Sequence, residues 1–267
     1  MNGANFVADN LIARKVDKKF VRLGAMEKKA YFISDVHLGV NPPGAIPGRE
    51  EKLVRFLESI KGSASHLVVV GDLFEFWYEY SDYVNKNHME LFFALRELVH
   101  AGCEVHILRG NHDFAYGTFF PKALGVQIHT KCILEIQGKR VFFRHGDGVA
   151  KSDNGYRLMR RVLDFPLNRF LFKQIHPDWG MAIARFVGRN SRKIGESREI
   201  RLEEYLKWAV RVLKRDHCDI CVHGHHHIAG IWNQEEGIVA SPGEWIWKTS
   251  YLEMENGSIA LKNFEEG

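Results

Sequence analysis

The sequence predicts an α/β fold. Short apolar runs alternate with segments of helical period, and clusters of Asp, Asn and His fall where the apolar runs end. KAYFISD (29–35) reads as a buried strand. A helix follows over 51–61, with Leu53, Phe56, Leu57 and Ile60 on one face. HLVVVGD (66–72) is a second strand, a helix lies near 87–100, and EVHILRG (104–110) is a third strand. KCILEIQG and KRVFFRHGD flank the turn Gln137-Gly138-Lys139 and predict a hairpin around 131–147. Helices at roughly 154–173, 178–190 and 197–215 come next, before DICVHG (219–224) returns to strand. The tail segments GIWNQEEGIVAS, WKTSYLEME and SIALKNF, separated by Gly/Asn turns, read as meandering strands.

Composition bounds what such a fold can be. Of 267 residues, 45% are hydrophobic and 26% charged, enough for a full core in an ordinary globular chain. No run approaches the ~18 apolar residues of a membrane span. Residues 1–25 lack the uninterrupted apolar core of a secretory signal and read as a disordered polar leader ahead of Met26. Four cysteines in a chain this long make no disulfide framework. Cys218 and Cys221 lie within an apolar strand, without the second pair a zinc ribbon needs, so structural burial is expected. A reducing, cytoplasmic setting fits. Net charge is +4 but unevenly spread: residues 151–215 hold 16 Lys/Arg against 7 Asp/Glu, which leaves the remainder at −5. That middle segment suits something anionic, whether a phosphorylated ligand, nucleic acid or an acidic membrane face, unless it is only a solvated helical surface.

Five polar clusters close apolar runs. They are SDVHLG with Asp35 and His37, GDLFEFW with Asp72, GNHDF with Asn111, His112 and Asp113, HGDG with His145, and HGHHHIAG with His223, His225, His226 and His227. In open α/β sheets, ligands bind beyond the carboxyl ends of strands. Buried carboxylates and imidazoles are costly unless paired or bound to metal. The flanking Gly39, Gly71, Gly110, Gly146 and Gly224 permit tight turns and close backbone approach. Any one cluster is explicable as packing; five in series point to a site. A mixed nitrogen and oxygen donor set without thiolates suits Mn²⁺, Fe or Zn²⁺ better than a Ca²⁺ cage or a structural zinc. The donors exceed the needs of one ion, so two divalent ions are expected, with one carboxylate between them. Two metals about 3.5–4 Å apart can clamp a phosphoryl group and ionise a water.

Taken in order, D-x-H, G-D, G-N-H-D, H and G-H-x-H resemble the calcineurin-like metallophosphoesterase superfamily, from residue 30 to roughly 230. The resemblance implies a four-layer αββα sandwich with a helical lid inserted before the last strands. Residues 26–150 and 216–267 would form the core and 151–215 the lid. It implies that Asp35, His37 and His227 hold one metal, that Asn111, His145 and His225 hold the other, and that Asp72 bridges both. His223 then belongs to the strand or supports the site, and His226 lies at the rim. His112 matches the superfamily's metal-free histidine, which protonates the leaving oxygen, with Asp113 beside it to orient the ring. Glu75, three residues past Asp72, is too commonplace near a strand end to be placed in the site.

The wording of the motifs is most similar to the UDP-2,3-diacylglucosamine diphosphatases of lipid A synthesis. That similarity implies hydrolysis of a lipid-linked nucleotide sugar to UMP and 2,3-diacylglucosamine 1-phosphate, with Mn²⁺ as the expected metal. Asn111, His112 and His225 would also touch the substrate, Asp153 would stand in the wall of the site, and Ser191 and Arg198 would supply contacts from the lid. Two positions depart from the family: Gly195 stands where Asn is usual, and His112 where many members carry Arg. In the lid, Phe165, Leu167, Phe170, Leu171 and Phe172 interleave with Arg157, Arg160, Arg161, Arg169 and Lys173, a composition able to rest on an anionic lipid surface. The expected location is cytoplasmic and peripheral on the inner membrane, with no nucleic acid partner and the oligomeric state open. The competing readings are a phosphoprotein or small-ester phosphatase, and a nuclease whose binding would collapse with salt. A scaffold that has lost its chemistry is the remaining rival, and none of the seven ligands is missing.

Overall fold

The computed structural model describes residues 28–113, 115–149, 161–162, 165–177, 179–180, 182 and 198–265. Its first sheet is built on four parallel strands, β1 (Lys29–Ile33), β2 (Ala64–Val69), β3 (Glu104–Leu108) and β4 (Gln127–His129). The second contains the hairpin β5 (Lys131–Ile136) and β6 (Lys139–Arg144), then β7 (Ile220–Val222), and the hairpin β8 (Gly230–Gln234) and β9 (Gly237–Ser241). The last two strands, β10 (Ser250–Glu255) and β11 (Ser258–Asn263), return to the first sheet. Its order is β11-β10-β1-β2-β3-β4, and that of the second is β5-β6-β7-β9-β8.

Parallel strands are covered on both faces, which is why their sequences are continuous apolar runs. Along β2, Leu67 and Val69 face the helices α1 (Arg49–Ile60) and α2 (Met89–His100), where they meet Leu53, Phe56 and Leu95. Val68 faces the other way, into a layer between the sheets shared with Phe32, Phe143 and Val222. On the outer face of the second sheet, Phe142, Cys221 and Val239 pack on Ala209, Val212 and Leu213 of α4 (Arg198–Asp216), which follows a short helix α3 (Pro166–Lys173). The layers therefore run helix, sheet, sheet, helix, as the resemblance implied. Cys218 and Cys221 are buried thiols in this packing, with no disulfide.

The predicted face of α1 is the buried one, and Glu50 and Glu51 in its first turn suit the positive end of the helix dipole. Phe56 joins Tyr31, Trp245, Tyr251 and Phe264 in one aromatic cluster, with ring centroids 5.0–6.0 Å from its own. Removing such a ring costs about 3–5 kcal/mol. The cluster also fixes the loop after β9, which borders the site.

β1, β2 and β3 stop two or three residues short of the predicted ends, because the motif residues leave the extended conformation. Asp35, His37 and Asp72 have φ of 52°, 51° and 52°. The three-residue β4 was too short to read from sequence. Of the predicted helices between β6 and β7, α3 and α4 account for parts of the first and third, and the segment 178–190 lies largely outside the described residues, as do residues 1–25. No helix among the described residues is long and apolar enough to cross a membrane.

Candidate metal centre

The carboxyl ends of β1, β2, β3, β6 and β7 converge, and their loops are cross-linked by backbone hydrogen bonds. Asp35 N donates to Gly71 O at 3.1 Å, His37 N to Asp72 O at 2.9 Å, and Gly224 N to His145 O at 2.9 Å. On this frame each ligand carboxylate commits one oxygen to an anchor and presents the other. Asp35 Oδ2 accepts from Ser34 Oγ and from His225 N at 3.0 Å. Asp72 Oδ1 accepts from His112 N at 3.0 Å. The imidazoles do likewise: His37 donates Nδ1–H to Glu75 Oε2 at 2.9 Å, and His145 donates Nδ1–H to Val70 O at 2.7 Å. Both rings are thereby set with Nε2 facing the centre, the arrangement metal-binding histidines require.

The presented atoms form two donor sets, and a third grouping of His37, Asp72 and His112 overlaps both. In the first, His37 Nε2 and His227 Nε2 lie 3.7 and 3.3 Å from Asp35 Oδ1. In the second, His145 Nε2 lies 3.2 Å from Asp72 Oδ2 and 3.1 Å from Asn111 Oδ1, and His225 joins Asp72 and His145. Asp72 Oδ2 is also 3.6 Å from His37 Nε2, so this one oxygen stands between the sets. Such separations suit donors arranged about ions at ~2.0–2.2 Å. Asp35 Oδ1 and His37 Nε2 are buried and make no hydrogen bond among the described residues, an arrangement that is costly unless a cation supplies the missing partner. The residues present therefore fit two divalent ions, as the resemblance implied.

Local strain accompanies the geometry. Five of the seven candidate ligands, Asp35, His37, Asp72, His225 and His227, occupy left-handed backbone conformations, at roughly 1–3 kcal/mol each for non-glycine residues. Two glycines are fixed by close approach to the ligands. A Cβ at Gly110 would sit 2.0 Å from Asp72 Oδ1, and one at Gly224 would sit 2.0 Å from Ser34 Oγ and 2.7 Å from Asp35 Oδ2.

Charge is balanced within the cluster. Burial opposes ionisation of Asp35 and Asp72, yet the surrounding imidazoles, His227 for Asp35 and His145 for Asp72, hold both carboxyls below the ordinary range. Burial would lower His37, but the carboxylates of Asp35, Glu75 and Asp72 raise it to about 10. His145 is raised by Asp72 against the same burial. His225, buried and next to His145, is pushed down to about 4.

His112 faces the centre, its ring edge-on to that of His37 with centroids 4.7 Å apart. The orienting role expected of Asp113 falls elsewhere. Asp113 is buried and accepts from the backbone N–H groups of Asp72, Leu73, Phe74 and Gly110 and from Tyr116 Oη, so it holds the loops together. Its carboxyl is raised by burial and by the charge of Asp72. Glu75, set aside in the sequence, supplies the contact instead: its carbonyl oxygen accepts from His112 Nδ1 at 3.0 Å, and its carboxylate lies 3.6 Å from the same nitrogen. The available signal was its spacing, three residues past Asp72 on a loop that turns back under the site.

His223 is fully buried between Tyr205 and Trp232, in keeping with a supporting place. His226 is not at the rim: it is buried against His223 and Tyr205. The left-handed turns at His225 and His227, rather than strand alternation, separate the two ligands from their neighbours. Of the expected lid contacts, Asp153 and Ser191 lie outside the described residues, and Arg198 opens α4.

Comparison with known proteins agrees with this geometry. The family model described as calcineurin-like phosphoesterase matches residues 28–229. A protein named UDP-2,3-diacylglucosamine hydrolase from Porphyromonas gingivalis is 29% identical over 260 residues, covering 90% of this chain and 99% of its own. One of the same name from Aeromonas hydrophila is 32% identical over 237 residues, covering 86% of this chain and 96% of its own. Another from Aeromonas salmonicida is 31% identical over 233 residues, covering 80% and 90%. Motif order, two-sheet fold, paired donor sets and family match converge: this chain belongs to the calcineurin-like phosphoesterase family of metal-dependent hydrolases.

Proposed function

We propose that this chain hydrolyses the pyrophosphate of UDP-2,3-diacylglucosamine, giving UMP and 2,3-diacylglucosamine 1-phosphate, with Mn²⁺ as the resident metal. The observation that carries the substrate reading is a cavity of about 600 Å³ with an aromatic wall of Phe76, Trp77, Tyr78 and Tyr80 and a polar side that includes Asn85, Lys86 and His176. It begins one residue past Glu75, the partner of His37 and His112. Its aromatic wall suits acyl chains, which a small phosphoester lacks. The full-length relatives bearing the corresponding name support the same choice.

Divalent ions, when bound, would neutralise phosphoryl oxygens and lower the pKa of a bound water. Asp35, His37 and His227 would hold one, Asn111, His145 and His225 the other, with Asp72 between. The rest is the work of this chain. His112 has Nδ1 committed to Glu75, so Nε2 is the atom from which a proton passes to the leaving oxygen. Asn111 and His225 also border the substrate in this reading, to which the resemblance would add Asp153 in the wall and Ser191 and Arg198 as contacts from the lid.

The segment that includes α3 acts as a lid, whereas α4, which the expected bounds 151–215 placed in the lid, is instead the outer layer on the second sheet, because Ala209, Val212 and Leu213 are buried there. Phe172 seats on Phe76 and Tyr78, with centroids 5.9 and 4.6 Å apart, while Phe165, Leu167, Phe170, Leu171 and Trp179 stay exposed. Arg161 and Lys173, also exposed, accompany them. Such a face supports peripheral, cytoplasmic attachment to an anionic membrane, with no nucleic acid partner. The test is Mn²⁺-dependent release of UMP from UDP-2,3-diacylglucosamine, compared with turnover of 4-nitrophenyl phosphate. UMP release as the faster reaction supports the reading, and activity confined to the monoester contradicts it.

A further inference from the structure

We infer that a second cavity, beside His227 and walled by Trp247, receives the nucleoside of the substrate, with the indole as its stacking platform. The inference rests on the lipid-nucleotide reading and assigns the other end of that molecule. The cavity is about 420 Å³, within the range of ~300–1,000 Å³ usual for small-molecule sites. It is lined by His227, Ala229, Glu244, Trp247, Lys248 and Ser250. A cavity near Leu38 and Arg49 shares Phe76, Asn85 and Asn87 with the aromatic cavity under α3, whereas the one at His227 shares no lining residue with it. A substrate with acyl chains at one end and a nucleoside at the other needs two such separate cavities, and the one at His227 is lined by a candidate ligand.

Trp247 is a built wall. Its backbone N donates to Glu244 Oε2 at 2.9 Å, and its Nε1 donates to Pro43 O at 3.3 Å. The loop that carries it is tied to the metal loop by Trp245 N donating to Asp35 O at 3.2 Å, and to the loop before α1 by Ile46 N donating to Ile246 O at 2.8 Å. The indole nonetheless remains 43% exposed among the described residues, a large apolar surface held in place. Lys248 next to it is exposed and places a positive charge where a nucleoside 5′-phosphate would enter. Glu244 is 5% exposed, and its Oε1 takes no hydrogen bond from the described residues. That oxygen is an acceptor for a ribose hydroxyl.

The test compares binding of UMP and of inorganic phosphate to the Mn²⁺-loaded full chain by equilibrium dialysis. Phosphate engages the metal centre alone, so the affinity ratio isolates the nucleoside. Base–aromatic stacking predicts that Trp247→Ala lowers the UMP-to-phosphate ratio about 5- to 150-fold, with Trp247→Phe restoring most of it. UMP should also quench part of the tryptophan emission of the wild type, and that part should be missing in Trp247→Phe. A ratio unchanged by Trp247→Ala overturns the inference, as does a wild type that binds UMP no better than phosphate. Hydrolysis of UDP-2,3-diacylglucosamine is scored separately. If it is present while the ratio does not move, the pocket assignment fails alone. If it is absent while the ratio falls, the lipid reading fails and the nucleotide pocket stands.

Discussion

His112 donates its Nδ1–H to the carbonyl oxygen of Glu75 at 3.0 Å, which leaves Nε2 as the nitrogen facing the metal centre. His112 lies within reach of His37 and Asp72, so whether its removal spares the metals separates a proton donor from a ligand. His112→Ala is expected to retain bound Mn²⁺ while turnover falls about 10²–10⁴-fold, the usual contribution of a general acid. Metal analysis beside steady-state rates checks this. Loss of the ions together with activity would make His112 a ligand.

Glu75 contacts His37 Nδ1 at 2.9 Å, fixing which nitrogen that ring offers. Removing an outer partner of a metal-binding histidine typically costs about 10–100-fold in affinity. Glu75→Ala should show that loss in a titration of the metal-depleted protein with Mn²⁺, and Glu75→Gln, which keeps an acceptor, should recover part of it.

Gly110 has no room for a methyl group. Its Cβ would fall 2.0 Å from Asp72 Oδ1 and 2.6 Å from Asp72 N, both on the residue between the donor sets. Overpacking of this kind costs about 1–3 kcal/mol, equivalent to roughly 2–12 °C in melting temperature at this size. Gly110→Ala should melt lower by that amount and bind less Mn²⁺. An unchanged melting curve with full metal content would show that the loop yields without moving Asp72.

A second histidine cluster, remote from the metals, sets a pH dependence. His106 is buried, its Nδ1 shares a hydrogen bond with His129 Nε2 at 3.2 Å, and His66 stacks over it at 6.2 Å. Burial first, then repulsion from His129 and His66, hold it down to about 4. Glu104, 3.8 Å from Nε2, is the facing carboxylate. The folded value lies below the unfolded ~6.5, so its contribution is fully present above pH ~6.5 and is lost as pH falls toward 4, on the order of 3 kcal/mol in all. Denaturant unfolding across that window should lose stability more steeply in the wild type than in His106→Leu. Parallel slopes would contradict the assignment.

The parts of this molecule legible in the sequence are those where burial and polarity conflict. Asp35, Asp72 and His145 close runs of apolar residues, and a buried charge there demands a partner. Continuous runs such as the strand from His66 announced a sheet covered on both faces. Glu75 stayed hidden because its place depends on a loop that turns back beneath His37, and the sequence carries no period for that. Asp113 was misjudged for the reverse reason: adjacency to His112 suggested a contact, but successive side chains diverge, and Asp113 turns inward to four backbone donors. His226, expected at the rim, is buried instead, in a stretch where the neighbouring His225 and His227 adopt positive φ.

The most direct test is the count of Mn²⁺ ions bound per chain after loading and gel filtration, for the wild type and for Asp72→Ala. With Asp72 Oδ2 standing between the two donor sets, the wild type should hold two ions and Asp72→Ala none. A wild type that binds a single ion, or an Asp72→Ala variant that keeps both, would contradict a centre in which one carboxylate joins a pair of metals.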